Sequence, residues 1–280
     1  MIRLCFVAVL ASAACSGSAP PNPLVVARPY DFDEPAGIDK SKPAPLIVLL
    51  HGFGITGWAQ DAIFGFAQLA DDRGVYVAHP DGTTDSMGQK FWNATDACCD
   101  MDHTGVDDVA YLNAVVDDME ARFNIDKKRV FFVGHSNGGF MSHRMACDVA
   151  GRVAAIAALA GDVWKDPSKC NPSAPVAVLQ VHGDADAVVP YDGDTLEPSA
   201  PESVGTWAQK NGCSGDLADT GKTLDLDNML PGNETSIARY ACSAGAAELW
   251  TIHGGGHVPS FNLPDWGNDV FDWLMQHPKP

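Results

Sequence analysis

Three side chains far apart in the chain, Ser136, Asp186 and His257, have the types and settings for nucleophilic chemistry. Ser136 is the centre of Gly134-His135-Ser136-Asn137-Gly138, a G-x-S-x-G pattern. The β-branched and aromatic run Arg129-Val130-Phe131-Phe132-Val133 precedes it, and residues 140–147 continue with helical spacing. The spacing predicts a tight strand-to-helix corner that lifts the Ser hydroxyl clear of a sheet, where a base can reach it. A hydroxyl needs that base, and the base needs an acid to fix its tautomer. Asp186 stands just past a strand-like run at residues 175–181, level with the corner, and Asp184 is the reserve for its role. His257 follows Gly254-Gly255-Gly256, a turn flexible enough to swing an imidazole back over Ser136. His51, His182 and His253 each close a strand and are read as structural.

The elements that must hold these groups follow from periodicity. Leu46-Ile47-Val48-Leu49-Leu50 is a continuous apolar run, as expected for a central parallel strand covered on both faces. It ends in His51-Gly52-Phe53-Gly54, and the backbone N–H groups of Phe53 and Asn137 are the expected oxyanion donors. Further strands are predicted at residues 24–32, 44–50, 75–78, 153–159 and 175–181. Helices are predicted at 58–72, 107–123, 201–211 and 269–276, a strand pair at 235–242 and 247–252, and a surface loop at 212–228. Residues 79–105 show little periodicity, and a connection that long inside a compact domain usually has a task. It carries Trp92, the candidate aromatic contact for substrate, and the Cys98-Cys99 pair. Only a short connection separates the strands at 153–159 and 175–181, which leaves no room for a lid. The expected architecture is α/β, a mostly parallel sheet with helices on both faces, no large cap, and an open site suited to bulky or polymeric substrates.

Composition narrows the partners. A formal net charge of −18 repels nucleic acid and anionic lipid. Residues 1–15, with Arg3, an apolar core and small residues before Cys15, read as a secretory signal too short to span a bilayer. Cys15 also resembles a lipoprotein box, so an N-terminal lipid anchor there is the alternative to ordinary cleavage. Residues 16–27 read as a flexible tether and 28–280 as the single catalytic domain. Export places the remaining cysteines in an oxidising compartment, secreted or in the cell envelope. Cys98, Cys99, Cys147, Cys170, Cys213 and Cys242 make an even set, with Cys213–Cys242 and Cys147 with one of Cys98 and Cys99 as the expected pairs. The chain holds no C-x-x-C, so no zinc site is expected.

Taken in order, the candidate residues run Ser, Asp, His, the order of α/β-hydrolases. The motifs Leu50-His51-Gly52, Trp92-Asn93, Cys98-Cys99, Val106-Asp107-Asp108-Val109, the Ser136 corner, His182-Gly183 with Asp186 and Val189-Pro190-Tyr191, Asn211-Gly212-Cys213 and Gly254-Gly255-Gly256-His257 resemble the polyhydroxybutyrate depolymerase and feruloyl esterase family. The resemblance runs from about residue 28 to the C-terminus. It implies a secreted carboxylic-ester hydrolase with no cofactor; the chain is expected to act as a monomer, on polyester or on feruloyl or acetyl esters of plant polysaccharide, through an acyl-enzyme. It implies Ser136, Asp186 and His257 as the triad. One departure is Pro259, where many relatives carry Trp two residues after the catalytic His. A serine peptidase of the same fold and a non-catalytic surface-binding homologue are the alternatives.

Overall fold

The computed structural model describes residues 22–263 and 265–280. The expected export signal, Cys15 and the first part of the tether lie outside the described residues. The last part of that tether is a helix instead. Asn22 caps α1 (Pro23–Ala27) by accepting the Leu24 N–H, and Pro23 supplies a φ already suited to the first turn. These local features override the strand predicted at 24–32, of which only β1 (Asp31–Asp33) remains. Val25 packs on the core, and Arg28 then pairs with buried Asp108 and lies over the Tyr111 ring.

The chain continues through β2 (Ala44–Leu50), α2 (Gly57–Phe64), α3 (Phe66–Arg73) and β3 (Tyr76–His79). One helix was expected at 58–72. Gly65, at φ 71°, divides it in two, because that left-handed residue caps the first helix and starts the second. The aperiodic segment holds only the small hairpin β4 (Thr83–Thr84) and β5 (Lys90–Phe91). Then come α4 (Asp108–Arg122), β6 (Ile125–His135), α5 (Asn137–Asp148), β7 (Ala155–Leu159) and β8 (Ala177–Gly183). Between the last two strands there is a single 3-10 turn (Pro167–Lys169) and no cap. The chain closes with α6 (Ala200–Lys210), β9 (Ser214–Leu224), β10 (Thr235–Ala241), β11 (Ala246–Ile252) and α7 (Asp265–Met275).

The large sheet runs β1-β3-β2-β6-β7-β8-β11-β10-β9, parallel from β3 to β11 and antiparallel at both margins. Alternation along each strand divides the core. Leu46, Val48 and Leu50 of β2, with Val130 and Phe132 of β6, face the layer of α4, α5 and α6. Ile47, Leu49, Phe131 and Val133 face α2, α3 and α7. Both faces are therefore dry, as the continuous apolar runs require. Residues 212–228, expected as loop, form the edge strand β9. Its Asp-, Gly- and Thr-rich sequence shows no apolar alternation because both faces are mostly exposed, and backbone pairing to β10 alone makes it a strand.

Of the two expected cystines Cys213–Cys242 forms, and the pairing of Cys147 with Cys98 or Cys99 does not. Cys98 and Cys99 bond to each other across a cis peptide, so neither is free for Cys147. Cys147 on the last turn of α5 instead meets Cys170 just after the 3-10 turn, both buried against the same core. That bond closes a loop of 23 residues, and the lost freedom of the unfolded chain stabilises the fold by about 3 kcal/mol. A Cys147→Ser/Cys170→Ser protein is expected to lose about that much, read from its urea midpoint. An unchanged midpoint would show that the bond adds nothing.

Candidate active site

Ser136 sits between β6 and α5 at φ 54° and ψ −122°, outside the regions open to L-residues. Two bonds hold it there: its N–H donates to Leu159 O at 2.8 Å and its carbonyl accepts the Phe140 N–H at 3.0 Å. The corner packs directly on β2. A Cβ on Gly138 would lie 2.1 Å from Leu50 O, so no larger residue fits there. Gly183 at the end of β8 is equally tight, its would-be Cβ 2.1 Å from Gly255 O, which presses the His257 loop onto the Asp186 loop. The Asp184 N–H donates to Ile252 O and the Ala185 N–H to Gly255 O, so the backbones of the two loops are also bonded.

With these loops joined, His257 Nε2 lies 2.9 Å from Ser136 Oγ, and His257 Nδ1 lies 2.7 Å from Asp186 Oδ2. The other oxygen of Asp186 accepts the Val188 and Val189 N–H groups at 2.8 and 3.0 Å. Burial by itself would raise the Asp186 pKa. The hydrogen bonds from His182, His257 and Val188 outweigh it and hold the carboxyl well below the usual carboxylate range. An ionised acid facing Nδ1 places the imidazole proton there and leaves Nε2 free to accept from Ser136.

The turn after β2 is bonded on both sides of Phe53. The Gly52 N–H donates to Gln60 Oε1 and the Gly54 N–H to Lys90 O. The Phe53 N–H and the Asn137 N–H at the start of α5 have no acceptor among the described residues. Gly52 brings the turn to the corner, since a Cβ on it would lie 3.5 Å from Ser136 Cβ.

Trp92 takes a place other than the one expected. Its ring is fully buried, its Nε1–H donates to His51 O, and it stacks on Tyr111, so no face is open to substrate. Its backbone instead fixes the corner: the Trp92 N–H donates to Asn137 Oδ1 at 2.7 Å and Asn137 Nδ2 donates to Trp92 O at 2.9 Å. The exposed apolar side chains Phe53, Val188 and Val258 each stand within two residues of a candidate group.

The other histidines hold loops. His51 Nε2 accepts the Gly82 N–H, and burial lowers its pKa to about 4, so it stays neutral. His135 donates from Nε2 to the His257 carbonyl at 2.8 Å, a support the sequence reading missed although the residue lies inside the G-x-S-x-G pattern. The reserve acid Asp184 pairs with exposed His253 at 2.8 Å and not with His257. A cavity of about 830 Å³ lies between β9–β11 and α7, and none of the three candidate residues lines it. Among the described residues no helix is long and apolar enough to cross a membrane.

Six parallel strands between two helical layers, with a strained serine corner after β6, define an α/β-hydrolase. Residues 37–199 match the family described as phospholipase/carboxylesterase, and the chain belongs to that family. Feruloyl esterase B of Piromyces equi is 30% identical over 260 residues, 88% of this chain but 44% of its own length. The chain thus spans less than half of that relative. Feruloyl esterase C of Emericella nidulans is 27% identical over 248 residues, 86% of this chain and 76% of its own. Among solved structures, an acetyl xylan esterase from Aspergillus awamori shares the fold with a TM-score of 0.61 at 16% identity, over 87% of this chain and 92% of that one.

Behind the site lies a second buried acid. Asp162, just after β7, is fully buried, with one oxygen on Gln180 Nε2 and the other without a partner among the described residues. Burial pushes this carboxyl up to about 7. Such a group takes up a proton on folding, so its effect on stability is absent at acid pH and grows as pH rises from 3.8 toward 7. Asp162→Asn is expected to melt like the parent at pH 4 and above it at pH 8, by up to a few kcal/mol at about 1.4 kcal/mol per pH unit. A pH-independent difference in melting would contradict the burial of an ionisable acid there.

Proposed function

We propose that this chain is an exported serine esterase that hydrolyses feruloyl or acetyl esters of plant polysaccharide. The observation that carries the reading is the unbroken pair of hydrogen bonds from Ser136 through His257 to Asp186. His257 takes the Ser136 proton as Oγ attacks the ester carbonyl, and Asp186 holds the imidazolium that forms. The Phe53 and Asn137 N–H groups then bond the developing oxyanion. Collapse of the tetrahedral species expels the alcohol, which receives the proton from His257, and leaves an acyl group on Ser136. Water, deprotonated by the same imidazole, attacks the acyl-enzyme and returns the serine.

The substrate class rests on the names of the relatives, on the lack of a cap among the described residues, and on the exposed Phe53, Val188 and Val258, which offer an apolar rim to an aromatic or short acyl group. Three disulfides support export, since such bonds persist in oxidising compartments. An apolar rim would also meet a hydroxyalkanoate polyester, so that substrate belongs in the same test.

Purified protein is expected to hydrolyse methyl ferulate and 4-nitrophenyl acetate, and to release ferulate or acetate from xylan faster than hydroxybutyrate from polyester film. Ser136→Ala should cost at least about a thousandfold in kcat with the fold retained. Near-parental turnover by that variant removes Ser136 from the reaction, and a preference for the film replaces the polysaccharide by the polyester.

A further inference from the structure

The acid of the proposed triad is supported from inside the core by side chains that never approach Ser136. Trp207 of α6, His143 of α5, and Gln180 and His182 of β8 are all fully buried. Trp207 Nε1 lies 2.9 Å from His143 Nδ1, and His143 Nε2 lies 2.9 Å from Gln180 Oε1. Gln180 Nε2 lies 3.3 Å from both Asp162 Oδ1 and His182 Nδ1. His182 Nε2 lies 3.0 Å from Val189 O and 3.4 Å from Asp186 Oδ2.

Donor chemistry gives this chain one direction. An indole nitrogen only donates, so His143 Nδ1 must accept and its proton must sit on Nε2. That proton requires an acceptor, which makes the facing atom of Gln180 the carbonyl oxygen and orients the amide. The two hydrogens on Gln180 Nε2 then go to Asp162 and to His182 Nδ1. His182 Nδ1 is consequently an acceptor, and its proton lies on Nε2, between Val189 O and Asp186. The Val189 N–H itself donates to Asp186 Oδ1, so His182 grips the turn that orients the carboxylate and also presents a positive edge to its other oxygen.

We propose that Trp207, His143, Gln180 and His182 form a directional relay of hydrogen bonds that positions Asp186, making these four buried side chains positioning residues for the proposed acyl transfer. The inference rests on the esterase reading above for its consequence, but not for its geometry. Reversing any one member reverses the rest, because each atom's role is set by its neighbour. The relay also accounts for polar residues in the middle of an otherwise apolar layer, each satisfied by the next.

Nitrogen-15 NMR of the parent protein, labelled at histidine, reads the tautomers without any substitution. Burial lowers the His182 pKa but Asp186 and Asp162 raise it more, so the spectrum is read at alkaline pH, where both His143 and His182 are expected as neutral rings with the proton on Nε2. A proton on Nδ1 of His182 overturns the relay. Gln180→Met keeps the volume and removes the bonds, and it is expected to lower kcat by about ten- to a hundredfold with KM within about twofold of the parent. Unchanged kcat in a folded Gln180→Met protein also overturns the proposal, whereas a variant that fails to fold leaves the tautomer measurement to decide. Inactivity of the parent toward every ester, with the tautomers as stated, would remove the esterase reading and leave the relay as an architectural feature. Ester hydrolysis with the opposite tautomer at His182 would remove the relay alone.

Discussion

The backbone at Ser136 is held in a conformation that costs about 1–3 kcal/mol, and the rest of the site is arranged around what holds it there. The strain places Oγ above the carboxyl ends of the parallel strands, where loops from β2, β8 and β11 converge. It persists because β6 is paired on both sides, by β2 and β7, and because α5 starts at once and cannot shift. Gly138 is the mechanical condition, since it lets the corner rest on Leu50 O. Bonds from Asn137 to the Trp92 backbone then tie the corner to the long aperiodic segment, which gives that segment its task.

A second level of order lies in the loops that bring His257 over Ser136. Three connections act together: the close approach of Gly183 to Gly255, the backbone bonds from Asp184 and Ala185, and the His135 bond to the His257 carbonyl. Asp184 adds its own clamp by accepting the Gly254 N–H and facing His253. The imidazole is thus held through its backbone on one side and through Asp186 on the other, and the glycines before it lie in a turn that is itself hydrogen-bonded.

The acidity of the chain has a local explanation in part. Asp39, Asp100, Asp126, Asp166, Asp194, Asp219 and Asp227 each accept backbone N–H groups a few residues on, closing turns with a side chain that mimics a carbonyl. Asp186 uses the same device at Val188 and Val189, while its other oxygen faces His257. Part of the negative charge therefore belongs to turn chemistry, on a surface that water and counter-ions screen.

Much of the fold was legible along the chain. Uninterrupted apolar runs marked β2 and β6 because strands buried on both faces have no polar side to show, and Gly134 to Gly138 marked the corner because only glycine permits such packing. Local signals were misread where weak patterns hid a backbone-driven choice: a capped proline turn became α1, Gly65 split a helix, and β9 formed with no apolar alternation. The aromatic residue expected at the cleft, Trp92, and the partner of Cys147 were decided by packing between distant segments, which a linear pattern does not encode. The sequence by itself determined which groups have the chemistry, since Ser, Asp and His at strand ends are readable in order. Only the tertiary structure decided their distances, tautomers and supports, because hydrogen bonds between residues over a hundred positions apart exist only once the sheet has brought its carboxyl ends to one rim.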